Sequence, residues 1–133
     1  MLNKCFLIIL LILTVSCTKE SYVWYNGSFS DALSEISNNQ GKILFLDFFS
    51  DNWGACVRLD AETLSDEAVI LFSKENLLSL KLKPYSNKKN FELFDSMKGM
   101  GLPLLVYLNN NGEEIDRILG YLPPDQYLSR IKD

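Results

Sequence analysis

The chain has 133 residues, of which 47% are hydrophobic and 23% charged. That composition suits one globular domain and excludes a disordered chain. A net charge of −4 argues against a nucleic-acid binder, because phosphate-binding surfaces need a basic stripe. The absence of histidine removes Ser-His-Asp and Cys-His catalysis and histidine-ligated zinc. Neither glycine-rich phosphate-binding motif is present, and we expect no cofactor and no metal.

The first residues are typical of an export signal. Lys4 precedes eight apolar residues, Phe6 to Leu13, and small residues then lead to Cys17. The apolar run is too short to span a hydrocarbon core of ~30 Å. A cysteine directly after such a run is typical of bacterial lipoproteins, so we predict a signal peptide at residues 1–16 and a lipid such as palmitate on Cys17. Thr14 replaces the usual leucine of such signals, and plain cleavage or an uncleaved anchor remain alternatives.

Export would change the cysteine count. Cys5 would leave with the signal and Cys17 would carry the lipid, which leaves Cys56 as the free thiol. Cys56 would then have no intrachain partner, although the compartment permits disulfides. We therefore expect a monomer anchored in the bacterial cell envelope, with envelope proteins or small thiols as partners and no nucleic acid.

Hydrophobic periodicity predicts the order α-β-α-β-α-β-β-α after a tether at residues 17–27. A capping box at Ser28–Asp31 predicts a first helix, with Phe29, Leu33 and Ile36 facing inward and Gly41 after its end. A second helix is expected from Cys56 to about Ser73, with a break at Ser65–Glu67. A third is expected over Asn87–Lys98, with Phe91, Phe94 and Met97 on one face, and a fourth from Pro123, with Tyr127, Leu128 and Ile131 facing inward. The strands are expected over Lys42–Phe49, Leu77–Leu82, Leu104–Leu108 and Ile115–Leu119, the last two joined by an Asn-Gly turn. Residues 28–133 are thus predicted to form a three-layer α/β/α sandwich with a four-stranded mixed sheet.

Four segments, in order, resemble the thioredoxin-like family over nearly all of residues 28–131. They are Asp47–Cys56, Cys56–Asp66, Gly99–Leu104 and Gly120–Pro124. The resemblance implies the thioredoxin fold, with Cys56 matching the second cysteine of the family's Cys-x-x-Cys motif and Pro103, after Leu102, matching its cis-proline. The motif loop here is Trp53-Gly54-Ala55-Cys56. Trp53 either occupies the place of the first cysteine or matches the tryptophan before it; in both alignments the first cysteine is absent.

The missing cysteine decides the expected mechanism. A dithiol reductase needs a second thiol to resolve the mixed disulfide, so we predict no dithiol turnover. Cys56 is either an inert buried residue or a reactive thiol whose pKa a helical first turn depresses. Asp47 is either a buried proton acceptor facing Cys56, as the resemblance implies, or a strand-end residue that reaches solvent.

For two further residues, Pro103 and Trp53, the sequence leaves a functional and a purely structural interpretation open. Pro103 is either cis or a trans-proline at a strand start, and Trp53 either contacts peptide or is an exposed loop aromatic. An acidic stretch near the motif is expected to be a solvated helix face rather than a calcium or magnesium site, because its spacing matches no EF-hand loop; it comprises Asp51, Asp60, Glu62, Asp66 and Glu67. The lysines Lys81, Lys83, Lys88 and Lys89 are also expected at the surface.

Three hypotheses of function follow. The first is a lipid-anchored protein-interaction module that uses the surface of Trp53, Gly54 and the Pro103 loop. The second is a single-thiol redox protein that uses Cys56 for thiol-disulfide exchange. The third is a structural envelope lipoprotein that only shares the fold.

Overall fold

A computed structural model of the chain describes residues 16–133. Cys5, the apolar run Phe6 to Leu13 and Thr14 lie outside the described residues, and with them most of the predicted signal peptide. Within the described part, no helix combines the length and the apolar character needed to cross a bilayer.

The described residues form five α-helices and four strands. The helices are α1 (Phe29–Ser37), α2 (Gly54–Arg58), α3 (Glu67–Asn76), α4 (Lys88–Ser96) and α5 (Pro124–Lys132). The strands are β1 (Ile43–Phe48), β2 (Leu77–Leu82), β3 (Leu104–Leu108) and β4 (Glu114–Leu119). A π-helical segment, Leu59–Thr63, follows α2.

The sheet has the strand order β2-β1-β3-β4. β1 pairs with β2 in parallel and with β3 in antiparallel orientation, and β4 pairs antiparallel with β3. The predicted four-stranded mixed sheet is therefore confirmed. β1 lies at the centre of the sheet, which is why its sequence is an apolar run rather than an alternation of apolar and polar residues.

Each face of the sheet carries a hydrophobic core. Leu44, Leu46 and Phe48 of β1 pack with buried residues of α1 and α4 on one face. Phe45 packs on the other face with the π-helical segment, α3 and α5. Because side chains alternate along a strand, Asp47 projects to the same face as Phe45. The carboxylate therefore points toward the layer that contains α2 and the π-helical segment.

Three local expectations need correction. The helix predicted from Cys56 to about Ser73 begins at Gly54 and ends at Asn76, and its first part continues into the π-helical segment. Its predicted break at Ser65–Glu67 is present, because the side chain of Asp66 caps α3 by accepting hydrogen bonds from the amides of Ala68 and Val69. α1 ends at an Asn38 cap rather than at Gly41. Phe91 is exposed, while Phe94 of the same helix is buried, because only one residue of that pair reaches the core.

The segment predicted as a tether contacts the domain from Glu20 onward. Glu20 forms an ion pair with Lys74, with 2.6 Å between the carboxylate and Nζ. The hydroxyl of Tyr22 lies 2.9 Å from Oγ of Ser79, and the amide of Tyr25 donates to the Ser79 carbonyl at 2.7 Å. These contacts cover part of β2, which lies at an edge of the sheet.

Candidate functional site

The candidate site lies where β1 ends and α2 begins. Trp53 is the N-cap residue of α2 and keeps an extended backbone, and its carbonyl accepts the first helical hydrogen bond, from Val57, at 3.0 Å. Its side chain makes no capping bond and is 58% exposed. An added Cβ at Gly54 would meet no atom within 4 Å. The indole is therefore presented to solvent at the start of the helix.

Cys56 is the buried residue of this motif. It lies in the first turn of α2 and is only 2% exposed. Burial raises the pKa of its thiol, and the charges of Asp47 and Asp60 raise it further, whereas hydrogen bonding from the Ser50 backbone and the charge of Lys81 oppose the rise. The raised pKa favours the first of the two alternatives, an inert buried residue, because desolvation disfavours the thiolate.

Asp47 is buried without a full partner. It is 1% exposed, which excludes the alternative that it reaches solvent. Lys81 Nζ lies 3.4 Å from Asp47 Oδ2, close enough for an ion pair, but neither carboxylate oxygen has a hydrogen bond of acceptable geometry within residues 16–133. Burial raises the pKa of Asp47 to about 7, against the opposing charge of Lys81 and with the added repulsion of Asp60. Near neutral pH the side chain is thus partly a neutral carboxylic acid.

Lys81 was expected at the surface and is instead half-buried in the site. Its ammonium donates to both oxygens of Asp60, at 2.8 and 2.6 Å, and lies 3.9 Å from the centre of the Phe49 ring. The parallel register places Lys81 directly opposite Asp47, which brings both residues to the same face. The signal for this position was present in the sequence: a single lysine within a leucine-rich strand that is aligned with Asp47.

Pro103 lies beside the motif at the start of β3. The Leu102–Pro103 peptide bond is cis, and Pro103 is buried, with its carbonyl accepting a hydrogen bond from the amide of Gly120 at 2.8 Å. The loop before it turns at Lys98, which has a φ of 55°. An added Cβ at Gly99 would come within 2.3 Å of the Phe94 ring, so this close approach requires glycine.

An open groove of about 430 Å³ separates the Trp53 loop from the Pro103 loop. Its lining residues are Ser50, Trp53, Tyr85, Met100, Gly101 and Leu102. Met100 is 90% exposed and Tyr85 is also exposed. The groove wall is therefore largely apolar, and its side chains are not covered by other parts of the described chain.

The chain is similar in sequence and in fold to known proteins. Residues 29–133 match the family model described as a thioredoxin-like domain. The chain belongs to the thioredoxin-like domain family.

The curated relatives are longer proteins. The thiol:disulfide interchange protein DsbD of Tatumella citrea is 30% identical over 109 residues, which cover 80% of this chain and 19% of that protein. The protein of the same name from Campylobacter jejuni is 31% identical over 123 residues, which cover 90% of this chain and 21% of that protein. The thioredoxin-like chain thus spans about a fifth of the length of these relatives.

Solved structures share the fold. A DsbH oxidoreductase superposes with a TM-score of 0.72 at 24% identity and covers 92% of this chain and 90% of its own. A putative disulphide-isomerase from Bacteroides thetaiotaomicron superposes with a TM-score of 0.73 at 24% identity, over 86% of this chain and 93% of its own. At these identities the likeness establishes the thioredoxin fold and no more.

The remaining candidate residues of this thioredoxin-like domain are dispersed. Cys17 is exposed, and both it and Cys56 are free. Asp51 is paired with Lys83, Glu62 with Arg58, and Asp66 caps α3. Across residues 16–133 no cluster of three or more potential ligands could hold a metal ion.

The structure places Asp47 of β1 close enough for its charge to act on Cys56, and it places Trp53 across the groove from Leu102, which precedes Pro103. It adds residues that sequence reasoning missed. Lys81 and Asp60 surround the buried carboxyl of Asp47, and Tyr85 and Met100 line the groove. The last two come from loops far apart in the chain, and nothing in the local pattern indicates which loop residues will meet.

Proposed function

We propose that this chain is an exported, lipid-anchored thioredoxin-like module that binds extended polypeptide in the cell envelope and does not turn over as a dithiol reductase. Supporting the envelope location are the apolar N-terminal run and the cysteine that follows it. The observation that carries the binding role is the contrast at the motif. Trp53 is presented to solvent while Cys56 is buried.

The case against dithiol turnover rests on both halves of the reaction. The attacking group must be an accessible thiolate, and the mixed disulfide must then be resolved by a neighbouring thiol. Trp53 stands three residues before Cys56, where a second thiol would be required, and the chain contains only two other cysteines, Cys5 and Cys17. Burial also keeps Cys56 in its neutral thiol form at neutral pH.

The case for binding rests on the groove. An extended peptide laid between the loops would bury the exposed faces of Trp53, Tyr85 and Met100. Aromatic residues with large exposed surfaces contribute strongly to association once they are desolvated. The partner class that fits this wall is therefore an unfolded or extended segment with apolar side chains.

Reductase activity provides the first test. We expect the purified protein to reduce insulin disulfides no faster than a buffer containing the same reductant. Trp53→Cys would restore a Cys-x-x-Cys spacing, and we expect it to gain turnover if the buried half of the site is intact. Val57→Cys is the matched control, because it adds an exposed thiol next to Cys56 at the wrong spacing. Efficient reduction by the unsubstituted protein would overturn the proposal.

Peptide binding provides the second test. The probe is a fluorescein-labelled, cysteine-free peptide of alternating leucine and serine, followed by fluorescence anisotropy. Trp53→Ala should weaken binding about tenfold, as expected for a central aromatic contact. Ile115→Ala is the control, since Ile115 is equally exposed but lies on β4 and outside the groove. Equal losses in the two variants, or no binding at all, would contradict the binding role.

Lipid attachment is tested separately. Bacterial cells that express the full chain should incorporate radiolabelled palmitate into the protein, and Cys17→Ser should abolish the label. Cys56→Ser should retain it, since that thiol is buried in the domain. Label that persists in Cys17→Ser would show that the lipid, if any, is elsewhere.

Single-thiol exchange is the second candidate function. It is favoured by the position of Cys56 close to Asp47, a carboxyl that ionises near neutral pH and could accept a proton. Labelling with a heavy maleimide after acid trapping of intact cells separates the two candidates. A Cys56 thiol that labels only after unfolding supports the binding module. Disulfide-linked species that reductant converts to the free protein support exchange with a thiol of another molecule.

A further inference from the structure

The described residues contain four sulfur atoms in different environments. They belong to Cys17, Cys56, Met97 and Met100. Cys56 is buried, and Met97 is half-buried against the core between the sheet and α1 and α4. Met100 is 90% exposed and is the sulfur atom that lines the groove. The accessible sulfur of this site is therefore a thioether rather than the thiol of the motif.

The local backbone holds Met100 in that position. α4 ends at Ser96 with Met97 as its C-cap, and the positive φ of Lys98 reverses the chain, with the amide of Gly99 donating to the Phe94 carbonyl at 2.9 Å. The tight contact of Gly99 with the buried Phe94 ring fixes the start of the loop. Met100 thus stands on a loop whose backbone is attached to the core at one side and to Pro103 at the other, and its exposed side chain lines the groove.

We propose that Met100 is an oxidation site through which peroxides lower the affinity of the groove for apolar peptide. This inference rests on the proposed binding function. In the reaction one oxygen atom passes from hydrogen peroxide to the thioether sulfur, which is oxidised by two electrons to the sulfoxide, and the peroxide is reduced to water. The S–O bond forms as the O–O bond of the peroxide breaks, and no bond of the protein breaks.

The consequence follows from polarity. A sulfoxide replaces an apolar, flexible side chain by a polar one. Desolvating that group against leucine-like side chains, with no hydrogen-bond donor offered by the peptide side chain, is unfavourable. Because Met100 has so little contact with the rest of the domain, the change should act on binding and leave the fold intact.

Chemical selectivity is tested first. The full chain, in its native state, is treated with hydrogen peroxide, quenched over time and mapped by mass spectrometry of its peptides. We expect Met100 to oxidise about tenfold faster than Met97, because thioether oxidation follows exposure, and Cys56 to remain unmodified over the same period. Oxidation of Met97 or Cys56 as fast as that of Met100 would overturn the inference. Unfolding the protein first should remove the difference and serves as the internal control.

The effect on binding is tested with the same fluorescein-labelled peptide of alternating leucine and serine. Sulfoxidation should weaken binding about tenfold, equivalent to the loss of one apolar contact, and methionine sulfoxide reductase should restore it. Met97→Leu should show the same loss on oxidation, because Met97 is not in the groove. Met100→Leu, whatever its own affinity, should bind equally before and after peroxide.

The outcomes separate this inference from the proposed function. If the untreated protein binds no peptide, both fail. If the untreated protein binds but selective oxidation of Met100 leaves the affinity unchanged, or if Met100→Leu remains sensitive to peroxide, the oxidation site is wrong and the binding role stands. Circular dichroism of the oxidised protein checks that a loss of binding does not come from unfolding.

Discussion

The inner and outer halves of the site differ in what they expose. The inner half holds Cys56, Asp47 and Lys81, which are polar groups enclosed by the core, and the outer half presents the apolar side chains of Trp53 and Met100 to solvent. In most proteins the polar groups lie at the surface and the apolar side chains are buried. A buried, underpartnered carboxyl lowers stability, and an exposed apolar wall favours association. The titratable groups of this site therefore lie inside the domain, and the face that it presents to solvent is apolar.

The largest change in stability is expected from a substitution of Asp47, in the inner half of the site. Asp47→Asn should increase the free energy of unfolding at pH 8 by an amount of the order of 4 kcal/mol, since burial raises the pKa of Asp47 from 3.8 to about 7. A raised pKa means that the folded state binds the proton more tightly. The aspartate protein is therefore most stable, for this group, below pH 4 and loses stability as the pH rises to 7 and above.

Urea denaturation between pH 3 and pH 9 measures this difference. The two proteins should be nearly equal at pH 3 and diverge through the range from 4 to 7. Asp125→Asn, at an exposed position of α5, is the control and should show no such divergence. A constant difference at all pH values would mean that packing, and not ionisation, distinguishes the variants.

The second effect compares two glycines of the outer half. Gly99→Ala should cost about 2 kcal/mol, because its Cβ would meet the Phe94 ring at 2.3 Å and that ring is buried against Phe48. Gly54→Ala, at the first position of α2, meets nothing within 4 Å and should stabilise by about 0.5 kcal/mol. Thermal unfolding of both variants gives the comparison. Equal effects would mean that the Met100 loop is not attached to the core as described.

Much of the fold could be predicted because its signals are local. The apolar run over Lys42–Phe49 identified the central strand, Ser28–Asp31 formed the expected capping box, and Asn-Gly at 111–112 marked the hairpin, where Gly112 has a φ of 78°. Each of these depends on a few neighbouring residues. The interruption at Asp66 was also visible as a capping residue, although the separation into three helical segments was not.

The site could be predicted only in part because its remaining contacts are tertiary. Cys56 and Asp47 were found through the motif, but the burial that raises the Cys56 pKa depends on packing that no local pattern shows. Lys81 was assigned to the surface by its charge, although its place opposite Asp47 follows from the parallel register. Tyr85 and Met100 reach the groove from separate loops, so their proximity needed the folded chain.

The third prediction concerns the pKa of Asp47, in the inner half of the site. Lys81 is bonded to Asp60 and only near Asp47, so Asp60→Asn should lower the pKa of Asp47. Two causes act in this direction: a negative charge is removed, and Lys81 becomes free to approach Asp47. Carbon-13 NMR titration of the Asp47 carboxyl measures the change, and Asp125→Asn again provides the unperturbed comparison.

A double substitution separates those two causes. If Asp60 diverts Lys81, then Lys81→Met should raise the pKa of Asp47 only slightly in the original protein and strongly in Asp60→Asn. If the charges act independently, Lys81→Met will produce the same shift in both backgrounds. Additive shifts would therefore contradict the diversion of Lys81 and leave only through-space repulsion.

The smallest expected effect concerns the segment before α1. Tyr22→Phe should cost about 1 kcal/mol, because it removes one part-buried hydrogen bond to Ser79 and leaves the serine hydroxyl without that partner. Tyr25→Phe is the control, since the Tyr25 hydroxyl lies at the surface near Glu35, and its effect should stay within about 0.5 kcal/mol. Urea denaturation at neutral pH resolves the two. If Tyr22→Phe is as mild as its control, the contacts from Glu20 onward add nothing to stability and the segment acts as a tether. If it is costly, the inner half of the site is closed on one side by residues that lie directly after the proposed lipid attachment, and the domain would then be held within a few residues of the membrane.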